Sequence, residues 1–355
     1  RDYYASRGLG DVYKRQVWIR ADGNEQIGTG HVMRCLAIAE ALEAAGVPVC
    51  FVMADDAATQ LVKSRGKKVR ILHTRYDRME EELPVLTAVM EEEHPDMLLI
   101  DSYYVSDAYL QRLTGQVWTV YIDDKSFHSY PVNMIINYNI YGDRSLYHPE
   151  PAYSLMGAAY APLRPEFRNV EYPVREQAEA VLLTTGGSDR YDLAGQILRA
   201  VPKELAVVFH VVSGIFNPHY DALCRMALAD DRIRVHRNVS RMSELMRECD
   251  IAITAGGSTM YELSAIGVPM ISFSFVDNQE KIVETFYQKK ITCYGGNYLT
   301  EGDLMPGRIV EHMMELMQSR ELREHYSSLE RHLVDGNGAS RIAEELCRVY
   351  EEDRI

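Results

Sequence analysis

The octapeptide "IGTGHVMR" (27–34) sets two glycines, Gly28 and Gly30, an imidazole, His31, and a guanidinium, Arg34, at the start of a run of helix formers. Ahead of it lies "VWIRA" (17–21), a short apolar run of strand character, so the unit reads strand, glycine turn, helix. That geometry aims backbone N–H groups and the positive end of the helix at whatever sits above the strand. His31 and Arg34 are three apart, which puts both on one side of the first turns. A neutral imidazole there accepts a proton from water in general-base chemistry. Gly28 and Gly30 let the backbone approach a ligand with no side chain between. For Arg34, added positive charge and bracing of the loop both stand open.

Three further strand ends carry residues of the same kind. "LLIDSYY" closes on Asp101, Ser102 and Tyr103, and "VLLTTGGSD" on Gly186, Gly187, Ser188 and Asp189. "IAITAGGSTMYEL" closes on Gly256, Gly257, Ser258 and Thr259, then enters a helix carrying Glu262. Both glycine turns suit backbone N–H contacts to a phosphate. A carboxylate one turn into a helix, Glu262, suits the vicinal hydroxyls of a ribose. "FVDNQEKI" adds Asn278 and Gln279 near the same edge. Each feature alone has a plain structural explanation, as a tight turn, a helix cap or a first-turn acid. Their joint occurrence at strand carboxyl ends points to one ligand cleft.

The elements that must position these residues alternate along the chain. "VWIRA", "VPVCFVM", "KVRIL", "MLLID", "VWTVYID" and "NMIINYN" are short β-rich runs, with helical patterns at 31–45, 80–93 and 105–114 among them. Such alternation predicts a parallel sheet covered by helices. After the proline-bearing stretch "AYAPLRPEFRNVEYP" (159–173), a second series begins with "AVLLTTGG". The predicted organisation is α/β with two Rossmann-like domains, 17–170 and 175–303, closed by C-terminal helices at 304–355 that Gly336 and Gly338 interrupt. Ligands in such sheets bind outside the carboxyl ends of the strands, and domain interfaces are favoured sites.

Composition narrows the function. The chain has 355 residues, 46% hydrophobic and 25% charged, with a formal net charge of −14. An acidic balance argues against a nucleic-acid partner held by phosphate neutralisation. "KSRGKKVR" (63–70) reads as a solvated loop before a strand. No apolar stretch reaches bilayer length, so no membrane insertion is expected. Six scattered cysteines without a C-x-x-C fit a reducing cytoplasm, with Cys50 and Cys293 packing as small hydrophobes. No compact ligand cluster appears among the eleven histidines, so neither metal nor cofactor is expected. The first sixteen residues, "RDYYASRGLGDVYKRQ", lack periodicity and end as a transposase adapter is translated in one frame. They are expected to be a scar in place of the true start.

Taken together, "RADGNEQIGTGHVMRCLAIAEAL", "LLIDSYYVS", "YAPLRPEF", "TTGGSD", "TAGGSTMYELSAIGVP" and "DNQEKI" resemble the UDP-sugar hydrolases of pseudaminic acid biosynthesis, which act on UDP-2,4-diacetamido-2,4,6-trideoxy-β-L-altropyranose. The similarity runs from about 17 to 300, and more widely the chain resembles GT-B glycosyltransferases. The resemblance implies a GT-B-like fold, a UDP-sugar substrate, no metal, and a monomer. It implies His31 as the base activating water, and Tyr103 and Asn278 near the sugar. Gly28, Gly30, Arg34, Asp101 and Gln279 join them as expected substrate-binding residues. It implies Gly187 and Ser188 at the diphosphate, and Gly257, Ser258, Thr259 and Glu262 at the nucleotide turn and ribose. Val239 falls where uracil meets main-chain groups. A glycosyltransferase using the same donor, and a nucleotide-sugar-binding protein without catalysis, remain the competing readings.

Overall fold

The computed structural model describes residues 16–124 and 128–352. Of the expected scar, only Gln16 falls within them; its backbone N–H donates to Asp96 at 2.9 Å.

The first half builds strands β1 (Val17–Ala21), β2 (Val49–Met53), β3 (Lys68–Ile71), β4 (Met97–Asp101), β5 (Trp118–Ile122), β6 (Met134–Asn137) and β7 (Tyr153–Met156). Helices α1 (Gly30–Ala44), α2 (Thr59–Lys63), α3 (Met79–Glu93) and α4 (Asp107–Thr114) alternate with them. All pairings are parallel, in the order β3-β2-β1-β4-β5-β6-β7. A parallel sheet covered on both faces demands strands apolar on both sides, which is why β1, β2 and β4 are buried along their whole length.

The second half repeats the plan with β8 (Ala180–Thr184), β9 (Val208–Ser213), β10 (Ile233–Arg237), β11 (Ile251–Ala255), β12 (Met270–Ser274) and β13 (Cys293–Asn297), ordered β10-β9-β8-β11-β12-β13. Its helices are α5 (Leu193–Ala200), α6 (Tyr220–Ala229), α7 (Met242–Glu248), α8 (Ser258–Ile266), α9 (Asp277–Gln288) and the short α10 (Tyr298–Glu301). Three helices follow: α11 (Leu304–Gln318), α12 (Arg320–Leu333) and α13 (Gly338–Glu352).

In both sheets the strand order reverses once, between β1 and β4 and again between β8 and β11. Crossovers leave in opposite directions on the two sides of that point, opening a crevice at the carboxyl ends. His31 follows β1, Asp101 ends β4, the Gly186–Ser188 turn follows β8 and the Gly256–Thr259 turn follows β11. These four stretches therefore sit at the two reversal points, while Asn278 and Gln279 follow the neighbouring strand β12.

The halves share one continuous apolar core. It runs from Ile19, Val32 and Leu36 through Leu163, Phe167 and Tyr172 to Met260, Tyr261 and Phe286. Full burial of each such side chain is worth about 1.5–3 kcal/mol. The proline-bearing segment is thus packed as it crosses between halves. The Tyr172 hydroxyl donates to the Cys249 carbonyl at 3.0 Å. After α12 packs on α8, the chain crosses back, and α13 lies against α1. At this second crossing, a Cβ on Gly336 would press on the Phe167 carbonyl, and one on Gly338 would collide with the Ala161 backbone.

Candidate functional site

The site's first half is built around Asp101. His31 is the second residue of α1, and its Nδ1 lies 2.6 Å from Asp101 Oδ1. Arg34, one turn on, donates from Nε to Asp101 Oδ2 at 2.6 Å and from Nη2 to Oδ1. Its Nη1 donates to Asp124 and to the Tyr138 hydroxyl, both at 2.7 Å. Burial alone would raise the Asp101 carboxyl; Arg34 and His31 outweigh it and hold the group well below the usual carboxylate range. An ionised carboxylate at 2.6 Å requires a His31 proton on Nδ1, so in the neutral ring the lone pair is on Nε2. Arg34 Nη2 also approaches His31 Nδ1 at 3.1 Å, but two donors do not bond, and Asp101 between them holds both.

Asp101, 1% exposed, turns both oxygens to His31 and Arg34 and so orients the imidazole. Arg34 is likewise held by two carboxylates and a phenol, an arrangement that braces the loop. Asp124 and Tyr138, unnoticed in the sequence, complete this cage. They lie beyond β5 and β6, and no motif spacing connects them to His31.

Tyr103 meets His31 edge to face, with ring centroids 4.4 Å apart, and its hydroxyl donates to Asp124 at 3.3 Å. Burial, and then the Asp124 charge, push its phenol well above the ordinary range, so it stays a neutral hydroxyl. Gly28 has φ 72° and closes a small loop by paired backbone bonds to Asn24 at 2.8 and 3.1 Å, a conformation that favours glycine. Open space surrounds the Cβ positions of both Gly28 and Gly30.

In the second half the two glycine turns differ. After β8, Gly186, Gly187 and Ser188 are exposed, while Asp189 is buried and accepts the Leu193 and Ala194 N–H groups at 2.8 and 2.9 Å. The start of α5 is thereby already satisfied by a carboxylate of its own chain. After β11, by contrast, Gly257 offers no side chain to cap α8, and among the described residues no side chain accepts from the N–H groups of its first residues, Ser258 and Thr259. Uncapped N–H groups and the helix dipole give this turn the chemistry to accept an anion.

Glu262 lies half-buried in α8, 3.3 Å from an Arg164 nitrogen. Burial raises its carboxyl and Arg164 opposes the rise. Gln279 Oε1 accepts the Phe275 N–H at 3.1 Å, and its main chain abuts Gly256, so it supports the glycine turn from behind. Asn278 belongs to the first turn of α9, but its side chain lies outside the described part. Val239 follows β10 and packs half-buried against the shared core.

The halves meet beside these residues. The Ile140 N–H donates to the Tyr261 hydroxyl at 3.0 Å, and the Tyr261 ring meets Tyr138 at 5.6 Å. Lys281 of α9 sits over the Tyr141 ring at 4.4 Å. One residue, Tyr138, therefore touches both the His31 cage and helix α8. Among the described residues no group of three or more His, Cys, Asp or Glu side chains is arranged to hold a metal ion, and no helix is long and apolar enough to cross a membrane.

Two serial Rossmann-like parallel sheets, each with one reversal of strand order, define a GT-B-like α/β fold. Among solved structures the chain is similar to the MurG of Acinetobacter baumannii, with TM-score 0.68 and 13% identity over 94% of this chain and 99% of that one. It is 27% identical to the spore coat polysaccharide biosynthesis protein SpsG of Bacillus subtilis, over 95% of this chain and 99% of the relative. It is 25% identical to the UDP-2,4-diacetamido-2,4,6-trideoxy-β-L-altropyranose hydrolase of Campylobacter jejuni, over 78% of this chain and 97% of the relative. No family model matches the chain.

Proposed function

We propose that the protein hydrolyses a UDP-linked 2,4-diacetamido-2,4,6-trideoxyhexose to UDP and free sugar, as in pseudaminic acid biosynthesis. The observation that carries this reading is the His31–Asp101 contact at 2.6 Å, which puts the ring proton on Nδ1, so that Nε2 of the neutral imidazole is the nitrogen that can take a proton from water. Water attacks the anomeric carbon from the His31 side, and the bond from that carbon to the β-phosphate oxygen breaks. Its electron pair leaves with UDP, and a single displacement inverts the anomeric configuration. Tyr103, with the α9 start that bears Asn278 and Gln279, borders the sugar. The Gly187–Ser188 turn and the uncapped N–H groups of Ser258 and Thr259 receive the diphosphate charge. Glu262 takes the ribose hydroxyls, and the main chain at Val239 takes uracil. The relative named as this hydrolase supports the substrate class.

The test is hydrolysis in ¹⁸O-water. Attack at carbon leaves released UDP unlabelled, whereas ¹⁸O in its β-phosphate by mass spectrometry would overturn both the bond assignment and the role of His31. UDP is the reporter because a free sugar's anomeric oxygen exchanges with solvent. The fold likeness to MurG favours one second reading, a glycosyltransferase with an alcohol acceptor. A transferase given UDP-sugar alone releases almost no UDP; a hydrolase turns it over completely.

A further inference from the structure

Arg164 and Glu166 occupy one tight turn, Pro165–Phe167, in the segment where the chain crosses between halves. The Arg164 guanidinium pairs with Glu166 at 2.5 Å, lies 5.1 Å from the Phe167 ring centre, and reaches Glu262 of α8 with its other terminal nitrogen. Glu166 in turn accepts the Ser243 hydroxyl of α7 at 3.1 Å. Arg164 is 9% exposed, and its Nε–H is buried without a partner among the described residues. The bracket thus ties α7, which begins three residues beyond Val239, to the carboxylate of α8.

These two elements must fit opposite ends of one nucleoside if Val239 takes the base and Glu262 the ribose. Burial raises the Glu262 carboxyl, and Arg164, 3.3 Å away, is the positive group set against it. A protonated carboxyl has one oxygen fewer to accept from vicinal hydroxyls. Fixing the aim of Glu262 requires a buried, rigid donor, and a planar guanidinium wedged between an aromatic ring and a second acid supplies it. Phe167, fully buried in the shared core, anchors that turn.

We infer that Arg164, held by Glu166, is a positioning residue for nucleotide recognition: it holds and aims the Glu262 carboxyl group, and so sets discrimination between ribose and deoxyribose. This rests on the proposed UDP site. The experiment compares UDP and 2′-deoxy-UDP binding by calorimetry in the full chain and in Glu262→Gln, Arg164→Met, Arg164→Lys, Glu166→Gln and the Arg164→Met/Glu262→Gln pair. Thermal melts check that each variant folds. Wild type is expected to prefer UDP at least tenfold. Glu262→Gln and Arg164→Met should each shrink that preference to within about twofold, with no further loss in the pair. Arg164→Lys should restore part of it, and Glu166→Gln should weaken it without abolishing it. Full discrimination in Arg164→Met, alongside its loss in Glu262→Gln, would overturn the inference and leave the ribose assignment standing. Discrimination retained in Glu262→Gln would instead remove the ribose assignment itself. If Arg164→Met does not fold, Arg164→Lys and Glu166→Gln carry the decision: undiminished preference in both sinks the inference.

Discussion

Tyr261 and Ile140 are bonded across the two halves of the molecule. The hydroxyl of a helix that begins at the proposed diphosphate seat accepts the backbone N–H of a loop from the opposite sheet, at 3.0 Å and out of solvent. Tyr261→Phe removes that acceptor and strands a buried donor, which costs about 1–3 kcal/mol. Urea unfolding should report a loss in that range, and Tyr261→Ala, which also empties the space beside Tyr138 and Phe286, about 3–5 kcal/mol. A fully stable Tyr261→Phe protein would mean that this contact does not hold the halves together.

His31→Ala should lower turnover by roughly two to four orders of magnitude, the usual range for a general base, while UDP binding is retained. Asp101→Asn should approach the same loss. An amide donor facing Nδ1 drives the proton to Nε2 and removes the lone pair that water needs. Combining the two substitutions should be no worse than His31→Ala. Single-turnover rates check all three, and an active Asp101→Asn enzyme would detach the carboxylate from the chemistry.

The same carboxylate predicts a pH dependence of stability. Its acid form is disfavoured in the folded protein, because Arg34 and His31 outweigh burial. A group with a depressed folded pKa contributes stability that is complete above its unfolded value, about 4, and that fades as pH falls through the folded value. The stability gap between wild type and Asp101→Asn should therefore be constant above about pH 5 and close steadily below pH 4. Melting temperatures at stepped pH values read it directly; a gap that widens with acid contradicts the pairing.

Gly257 has φ 155° and ψ −165°, a backbone region essentially restricted to glycine, and it immediately precedes the uncapped start of α8. Gly257→Ala should cost about 1–3 kcal/mol of stability by denaturant titration. It should also weaken UDP binding, since relieving the strain re-aims the N–H groups of Ser258 and Thr259. Unchanged UDP affinity by calorimetry would place the diphosphate elsewhere.

Exhaustive EDTA treatment should leave the rate of UDP release unchanged, because main-chain donors meet the leaving charge in the proposed mechanism. Lost activity that Mg²⁺ restores would show that a cation carries that charge.

Much of the fold was legible because parallel strands buried on both faces leave uninterrupted apolar runs; "MLLID" and "IAITA" coincide with β4 and β11. Glycine turns and helix starts were legible for a similarly local reason. What local pattern does not carry is the second partner of each polar group. Asp101 was visible at its strand end, yet only the β1–β4 neighbourhood turns it toward His31. Asp124, Tyr138 and Arg164 reach the site from 90, 104 and 98 residues away along the chain. The difference between the two glycine turns was also hidden. Asp189 looks like one more polar residue until its two helix-capping bonds are seen.

The chain passes between the halves twice, and Gly336 and Gly338 lay the second passage directly on Phe167 and Ala161 of the first. Mechanically this is a spine and not a tether. Two strands of covalent chain, locked face to face along one side, resist twisting and sliding but leave rotation about the line they share, as the boards of a book turn on its binding. Any opening of the cleft is then widest at the edge far from residues 161–168 and smallest beside Arg164. On the proposed assignment the nucleoside lies beside this spine and the sugar nearer the free edge.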